Sequence, residues 1–136
     1  MRLAQRRNGL ILASALGLLG VLVLAHIIQV ARARSEVRAL TELVRPGDTP
    51  QQVSDLFRAN AWGHLTLGTA VNGVIPVSSH PGWMPSQNWV VWISTVDGKA
   101  TAVRVRLSDG THWHPKGAPP DRVWGREPRG SYFVSP

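Results

Sequence analysis

Histidines are the residues of this 136-residue chain whose spacing comes closest to that of a chemical site. His112 and His114 are two positions apart, so an extended segment would place both imidazoles on the same side. Together with His64 or His80 they would supply the three-histidine ligand set of a zinc site. The alternative is a pair of solvated loop histidines, which we favour because no acidic residue follows them before Asp121.

Nucleophiles and acid–base pairs have no recognisable context in this chain. The serines lie in no Gly-x-Ser-x-Gly elbow, and the absence of cysteine excludes a thiolate nucleophile, a thiolate metal ligand or a disulfide. Asp97 and Asp109 each precede a glycine, in turn positions where Asp is favoured structurally. Gly63, Gly68 and Gly73 are too far apart for a phosphate loop. We therefore predict no catalytic residue, no cofactor site and no metal ligand, and we expect that the protein is not an enzyme.

An apolar segment near the N-terminus predicts the location of the protein. Residues 9–31 carry no charge, and His26 and Gln29 fall near the end of the run, within reach of lipid head groups. A helix from Leu10 to Ala31 is roughly 33 Å long, which matches a hydrocarbon core of about 30 Å. A cleaved signal peptide is the alternative, with Ala31-Arg32-Ala33 as a small-x-small site, but its apolar region is usually only about 7–15 residues long. We therefore predict a retained single-pass transmembrane helix, a signal-anchor, over residues 9–31.

Most of the basic character of the chain flanks this segment. Residues 1–34 contain five arginines and no acids, which accounts for five of the seven net positive charges. Anionic lipid head groups attract such flanks by about 1 kcal/mol per charge, so the charge indicates an anchor and not a nucleic-acid-binding surface. The basic flank at residues 1–8 slightly outweighs the charge after the helix. This difference favours a cytoplasmic N-terminus and an extracytoplasmic domain in the cell membrane.

Two helices are predicted between the membrane and a sheet. The first continues from the anchor, because Val37, Leu40 and Val44 form one apolar stripe, and Pro46-Gly47 ends it. The second begins where Thr49 is an N-cap, Pro50 takes the first helical position and Gln52 completes a capping box. Its apolar face is Val53, Leu56 and Phe57, and we expect it to end near Asn60.

A β-hairpin is the clearest strand signal. Asp97-Gly98 is a two-residue turn between strand-forming residues 89–96 and the alternating residues 99–107. With Asp97-Gly98 as the loop, Trp92 lies opposite Val103 on the core face. The opposite face then carries Trp89, Val91, Arg104 and Arg106. We consider that face either a half-exposed sheet surface, which we favour, or a contact surface for a protein partner.

The remaining residues predict a small sheet and an irregular tail. One further strand is expected at Leu65–Leu67 or at Val74–Val77, and residues 78–88 are typical of a loop. Residues 111–136 are rich in proline and glycine, so we predict an irregular tail, with Trp113 or Trp124 packed on the domain. The compact α+β domain, including the juxtamembrane helix, is assigned to residues 32–110.

Residues 43–57 resemble the helix–Gly-x-Thr–helix signature of the SmpA/OmlA family of small outer-membrane lipoproteins. Gly47, Thr49, Val53 and Leu56 match its pattern. The family includes an accessory subunit of the β-barrel assembly machinery, and the resemblance implies two helices packed on a three-stranded antiparallel sheet in the cell envelope. The chain differs from the family in replacing the lipidated cysteine with an apolar helix.

Together these features predict an α+β protein: one transmembrane helix, then two short helices packed on an antiparallel sheet of about three strands, then an irregular tail. The function they favour is a membrane-anchored, non-enzymatic interaction or scaffold module of the cell envelope. The first alternative is a membrane-tethered ligand- or peptide-binding domain that uses the tryptophan-rich loops. The second alternative is a histidine-based metal site.

Overall fold

The computed structural model describes residues 2–80, 88–108 and 113–129. Two helices precede an antiparallel meander in which each strand pairs with the next along the chain. The predicted α+β architecture is confirmed, but within the described residues the sheet has five strands where about three were predicted. The elements are α1 (Arg2–Leu43), α2 (Pro50–Asn60), β1 (Leu65–Leu67), β2 (Val74–Ser79), β3 (Trp89–Val96), β4 (Lys99–Leu107) and β5 (Arg122–Val123).

Helix α1 runs without interruption from the apolar segment into the domain. The large apolar side chains between Leu10 and Ile28 are 45–70 % exposed. By length and composition the helix could cross a membrane. Apolar exposure of this extent on successive turns does not suit a helix surrounded by water.

The C-terminal part of α1 belongs to the core of the domain. Val37, Leu40 and Val44 are fully buried, which confirms the predicted apolar stripe. Two backbone hydrogen bonds connect the turn that follows to the sheet. The Gly47 N–H donates to the carbonyl oxygen of Ala100 at 2.8 Å, and the Ala100 N–H donates to the carbonyl oxygen of Asp48 at 2.8 Å.

Helix α2 begins as predicted. The Thr49 side chain accepts from the Gln52 N–H, the Gln52 side chain accepts from the Thr49 N–H, and Pro50 is the first helical residue. Val53 is buried in the core. The helix ends on Ala61, whose φ of 46° and ψ of 44° lie in the left-handed region that glycine usually occupies.

The hairpin turn forms at Asp97-Gly98 as predicted, with φ values of 51° and 70°, but the predicted strand register was wrong. A β-bulge shifts the pairing between Ser94 and Thr95: Thr95 lies opposite Ala100, and Ser94 lies opposite Ala102. The extra residue is Thr101. Beyond a bulge of one residue, each side chain of the bulged strand lies on the face opposite to the one that the unbulged pairing would give it.

The bulge has an identifiable cause outside the hairpin. The carbonyl oxygen of Thr101 accepts from the N–H groups of Trp124 and Gly125, at 2.8 and 3.1 Å. Ala100, one residue earlier, is already bonded to the turn between the helices. Two successive residues of β4 therefore have backbone partners outside the hairpin, which fix a geometry that the hairpin sequence alone does not require.

A second tight turn precedes β2. Val71 and Val74 exchange both backbone hydrogen bonds at 2.9 Å, and the intervening Asn72-Gly73 has φ values of 51° and 79°. An added Cβ on Gly73 would lie 2.7 Å from the carbonyl oxygen of Thr95. The sequence predicted one further strand at either of two segments, and the structure has a strand at each of them, 65–67 and 74–79.

The core lies between one face of the sheet and the two helices. Its sheet side comprises Leu65, Ile75, Val77, Trp89, Val91, Ile93, Ala100, Val103 and Val105. Its helical side comprises Val37, Leu40 and Val53, together with Val44 directly after α1.

Candidate functional site

Two of the histidines that the sequence offered for a zinc site, His64 and His80, are neighbours at one end of the sheet. His64 Nδ1 lies 2.9 Å from Glu36 Oε1, and the exposed His80 donates its backbone N–H to the carbonyl oxygen of His64 at 2.7 Å. His114 belongs to residues 113–129, which we call the C-terminal segment. His112 lies outside the described residues. Among the residues that the structure describes, no three histidine, aspartate or glutamate side chains are arranged to hold a metal ion.

The surface predicted to contact a partner is not a single face. Trp89 and Val91 are 3 % and 0 % exposed and belong to the core. Arg104 and Arg106 lie on the opposite face of β4, where Arg104 pairs with Trp92 on β3. The bulge is the physical reason, because the extra residue of β4 places Arg104 and Arg106 on the face of Trp92, opposite to the core face of Trp89 and Val91.

The two arginines of β4 meet two carboxylates from the C-terminal segment. Arg104 binds Glu127 with two parallel hydrogen bonds, from Nε at 2.8 Å and from Nη2 at 2.9 Å. Its Nη1 also donates to Asp121 at 2.8 Å, and Arg106 donates to both oxygens of Asp121 at 2.9 and 2.8 Å. We call these four side chains the outer ion cluster; they fix the C-terminal segment against the outer face of the sheet.

Asp121 stays ionised in this cluster. Partial burial alone would raise the pKa of its carboxyl group. Hydrogen bonds and positive charge from Arg106, with hydrogen bonds from Arg104 and the Val105 N–H, outweigh burial and lower the pKa below its ordinary 3.8. A carboxylate held as an anion at neutral pH has no proton to donate, so Asp121 does not suit a general acid working there.

Strand β5 also connects the C-terminal segment to α1. Arg122 Nη1 donates to the carbonyl oxygen of Thr41 at 2.6 Å and lies 3.5 Å from that of Val44. Its guanidinium stacks over Trp124 at 4.8 Å from the ring centroid. The last turn of α1 contains no basic residue of its own, so Arg122 supplies the positive charge that a helix C-terminus favours.

The part of α1 nearest the apolar segment makes two polar contacts with the sheet. The Arg34 guanidinium lies 5.0 Å from the ring centroid of Trp89. Glu36 accepts from the His64 backbone N–H at 2.9 Å, in addition to its contact with the imidazole. These contacts join the helix to the beginnings of β3 and β1.

The tryptophans divide between packing and exposure. Trp62 packs edge-on against Phe57 with ring centroids 5.0 Å apart, and Trp124 packs against the core, as the sequence predicted for one tail tryptophan. Trp113 is 78 % exposed. Trp83 lies outside the described residues.

An open groove of about 430 Å³ lies beside the β3–β4 turn, lined by Thr95, Val96 and residues 126–129. Its size falls within the range of small-ligand sites, about 300–1,000 Å³. Arg126 and Arg129 are its exposed cations, and Glu127 faces Arg104.

No protein-family model, curated protein or solved structure matches the chain.

Sequence reasoning missed the partners that organise this surface. Asp121, Arg122 and Glu127 lie in a proline- and glycine-rich stretch whose pattern gives no strand or contact signal. The Asn72-Gly73 turn could have been found, since it is the same kind of hairpin signal as Asp97-Gly98.

Proposed function

We propose that the protein is a single-pass, membrane-anchored, non-enzymatic interaction module of the cell envelope, with its domain on the extracytoplasmic side. The observation that carries this proposal is the continuity of α1. One helix supplies both the exposed apolar stretch at residues 10–28 and the buried core positions Val37 and Leu40. A helix shared in this way would fix a folded domain at a constant position beside the bilayer.

The resemblance of residues 43–57 to the SmpA/OmlA signature supports the same proposal. Thr49 and Val53, two of the matching residues, serve as the N-cap and as the core contact of α2.

Membrane insertion and topology are tested together on the full chain in bacterial cells. The protein should stay in the membrane pellet after alkaline carbonate washing. Protease added to spheroplasts should degrade the domain, since the domain would face outward. Release by carbonate would contradict the anchor, and protection in intact spheroplasts with cleavage after lysis would contradict the orientation.

The interaction role is tested at exposed apolar residues of the domain. Trp113 and Val123 are 78 % and 51 % exposed, the highest values among the described large apolar residues outside the apolar segment, so they offer a partner the most apolar surface to bury. A photo-crosslinking amino acid at either position should give one discrete adduct with a protein in cells. The same residue at Lys99, an exposed polar position, is the control. Adducts equal to the control at both positions would contradict the role.

The groove beside the β3–β4 turn favours a second candidate, a membrane-tethered binding domain for anionic peptides or ligands. Arg126 and Arg129 would attract a carboxylate there. An acidic peptide should bind the full chain in detergent, with lower affinity for the Arg126→Ala variant and unchanged affinity for Arg58→Ala. Equal affinity for both variants would reject the groove.

A further inference from the structure

We propose that the end of the domain nearest the apolar segment lies within the lipid head-group layer, where the arginines of α1 bind anionic head groups. This inference rests on the membrane anchor of the proposed function. It adds a partner, the anionic bilayer surface, and it identifies the end of the domain that contacts this surface.

Burial along one face of α1 is the first observation. His26, Val30, Ala33 and Val37 follow each other on that face, and they change from half-buried to 2 % and 0 % exposed. Ile28, on another face between them, is 45 % exposed. The surface that α1 shares with the rest of the protein therefore begins inside the uncharged segment, with no linker.

The rise along α1 places the first buried residue of the domain close to the bilayer. Ala33 lies two residues beyond the uncharged segment, a rise of about 3 Å along the helix. A head-group layer is about 5–7 Å thick on each side of the hydrocarbon core. If the uncharged segment ends at the hydrocarbon boundary, the first buried residue of the domain lies inside that layer.

The contacts of α1 identify which end of the sheet this is. Arg34 lies over Trp89 at the beginning of β3. Glu36 binds His64, which precedes β1, and His64 is bonded to His80 at the end of β2. The β3–β4 turn, with Lys99 beside it, lies at the opposite end of β3.

Charge at this end complements an anionic surface. Arg32, Arg34 and Arg38 are exposed on α1, and the acid among them, Glu36, is bonded to His64. Each arginine near an anionic membrane strengthens the attraction about fivefold. The stacking of Arg34 on Trp89 would hold one of these charges at the sheet end.

The absence of cysteine in the chain makes a position-specific test possible. Full-length His80→Cys and Lys99→Cys variants, both at exposed positions, carry one fluorophore each in phosphatidylcholine vesicles. Head-group nitroxide lipid is present in both leaflets. We expect strong quenching of the label at 80 and weak quenching at 99. Adding phosphatidylglycerol should increase quenching at 80.

Charge variants then identify the arginines. In the His80→Cys background, Arg32→Gln with Arg38→Gln should clearly reduce the increase caused by phosphatidylglycerol, because Arg34 alone then remains of the three exposed arginines at this end. Arg45→Gln with Arg58→Gln, which removes the same charge from exposed positions farther along the chain, should leave the increase intact.

The outcomes separate this inference from the proposed function. Protein that carbonate removes from the vesicles contradicts the anchor itself. Inserted protein whose labels at 80 and 99 are quenched equally contradicts the head-group position. A preference for phosphatidylglycerol that is undiminished by Arg32→Gln with Arg38→Gln contradicts the role of the arginines.

Discussion

Arg122 Nη1 donates a hydrogen bond of 2.6 Å to the carbonyl oxygen of Thr41, which joins β5 to the final turn of α1. The two residues are 81 positions apart in the chain. The contact satisfies carbonyl groups that a helix end leaves without intrahelical partners. It also places a positive charge at the negative end of the helix dipole.

Replacing Arg122 by methionine should therefore destabilise the domain while keeping most of the apolar stem of the side chain. We expect the free energy of unfolding to fall by about 1–2 kcal/mol. Urea unfolding in detergent, followed by tryptophan fluorescence, measures the change. Arg126→Met is the matched control, because Arg126 is exposed. Equal losses for the two variants would show that the contact with α1 adds no stability.

The outer ion cluster should make stability depend on acid pH. The pKa of Asp121 is lowered in the folded protein, so its contribution is fully present above the unfolded value of about 3.8 and is lost as pH falls through the folded pKa. Asp121→Asn should cost about 2 kcal/mol at neutral pH and flatten the acid limb of the stability curve. The measurement is urea unfolding between neutral and acid pH.

Asp55→Asn is the control for that experiment. The Asp55 side chain is 57 % exposed, and its partner Arg58 is 75 % exposed, so the pair should add little to stability. An acid limb that is unchanged in Asp121→Asn would contradict the role of the cluster.

The left-handed end of α2 offers a stabilising substitution. Ala61 has a φ of 46°, and a left-handed conformation costs an L-residue with a Cβ roughly 1–2 kcal/mol. Ala61→Gly should therefore raise the free energy of unfolding by about 1 kcal/mol. Ala59→Gly, inside the same helix, should lower it by a similar amount. A destabilised Ala61→Gly variant would show that the cap does not limit the stability of α2.

Local signals in the sequence predicted the helices and the position of the hairpin turn. The capping box of α2 and the apolar stripe of α1 depend on residues three to seven positions apart, so sequence spacing contains the information. The turn at Asp97-Gly98 similarly depends only on the positive φ angles that these two residues adopt. These elements form as predicted because each is determined by neighbouring residues.

Long-range backbone contacts explain what the sequence did not predict. The bulge at Thr101 depends on N–H donors at Trp124 and Gly125, and no periodicity in β3 or β4 indicates them. β5 is two residues long, too short for a pattern, and depends on pairing with β4. The ion pairs of Arg104 with Asp121 and Glu127 could not be predicted from spacing, because the residues are 17 and 23 positions apart.

The bulge itself can be tested by comparing two tryptophans of the same strand. In the bulged register Trp89 is 3 % exposed on the core face, whereas Trp92 lies half-buried opposite Arg104. Trp89→Ala should lower the free energy of unfolding by about 3–5 kcal/mol, the usual cost of removing a buried large aromatic side chain. Trp92→Ala should cost clearly less, because part of its surface is already in contact with solvent. Urea unfolding of both variants decides between the registers, since the unbulged pairing would place Trp92 in the core and reverse the order of the two losses.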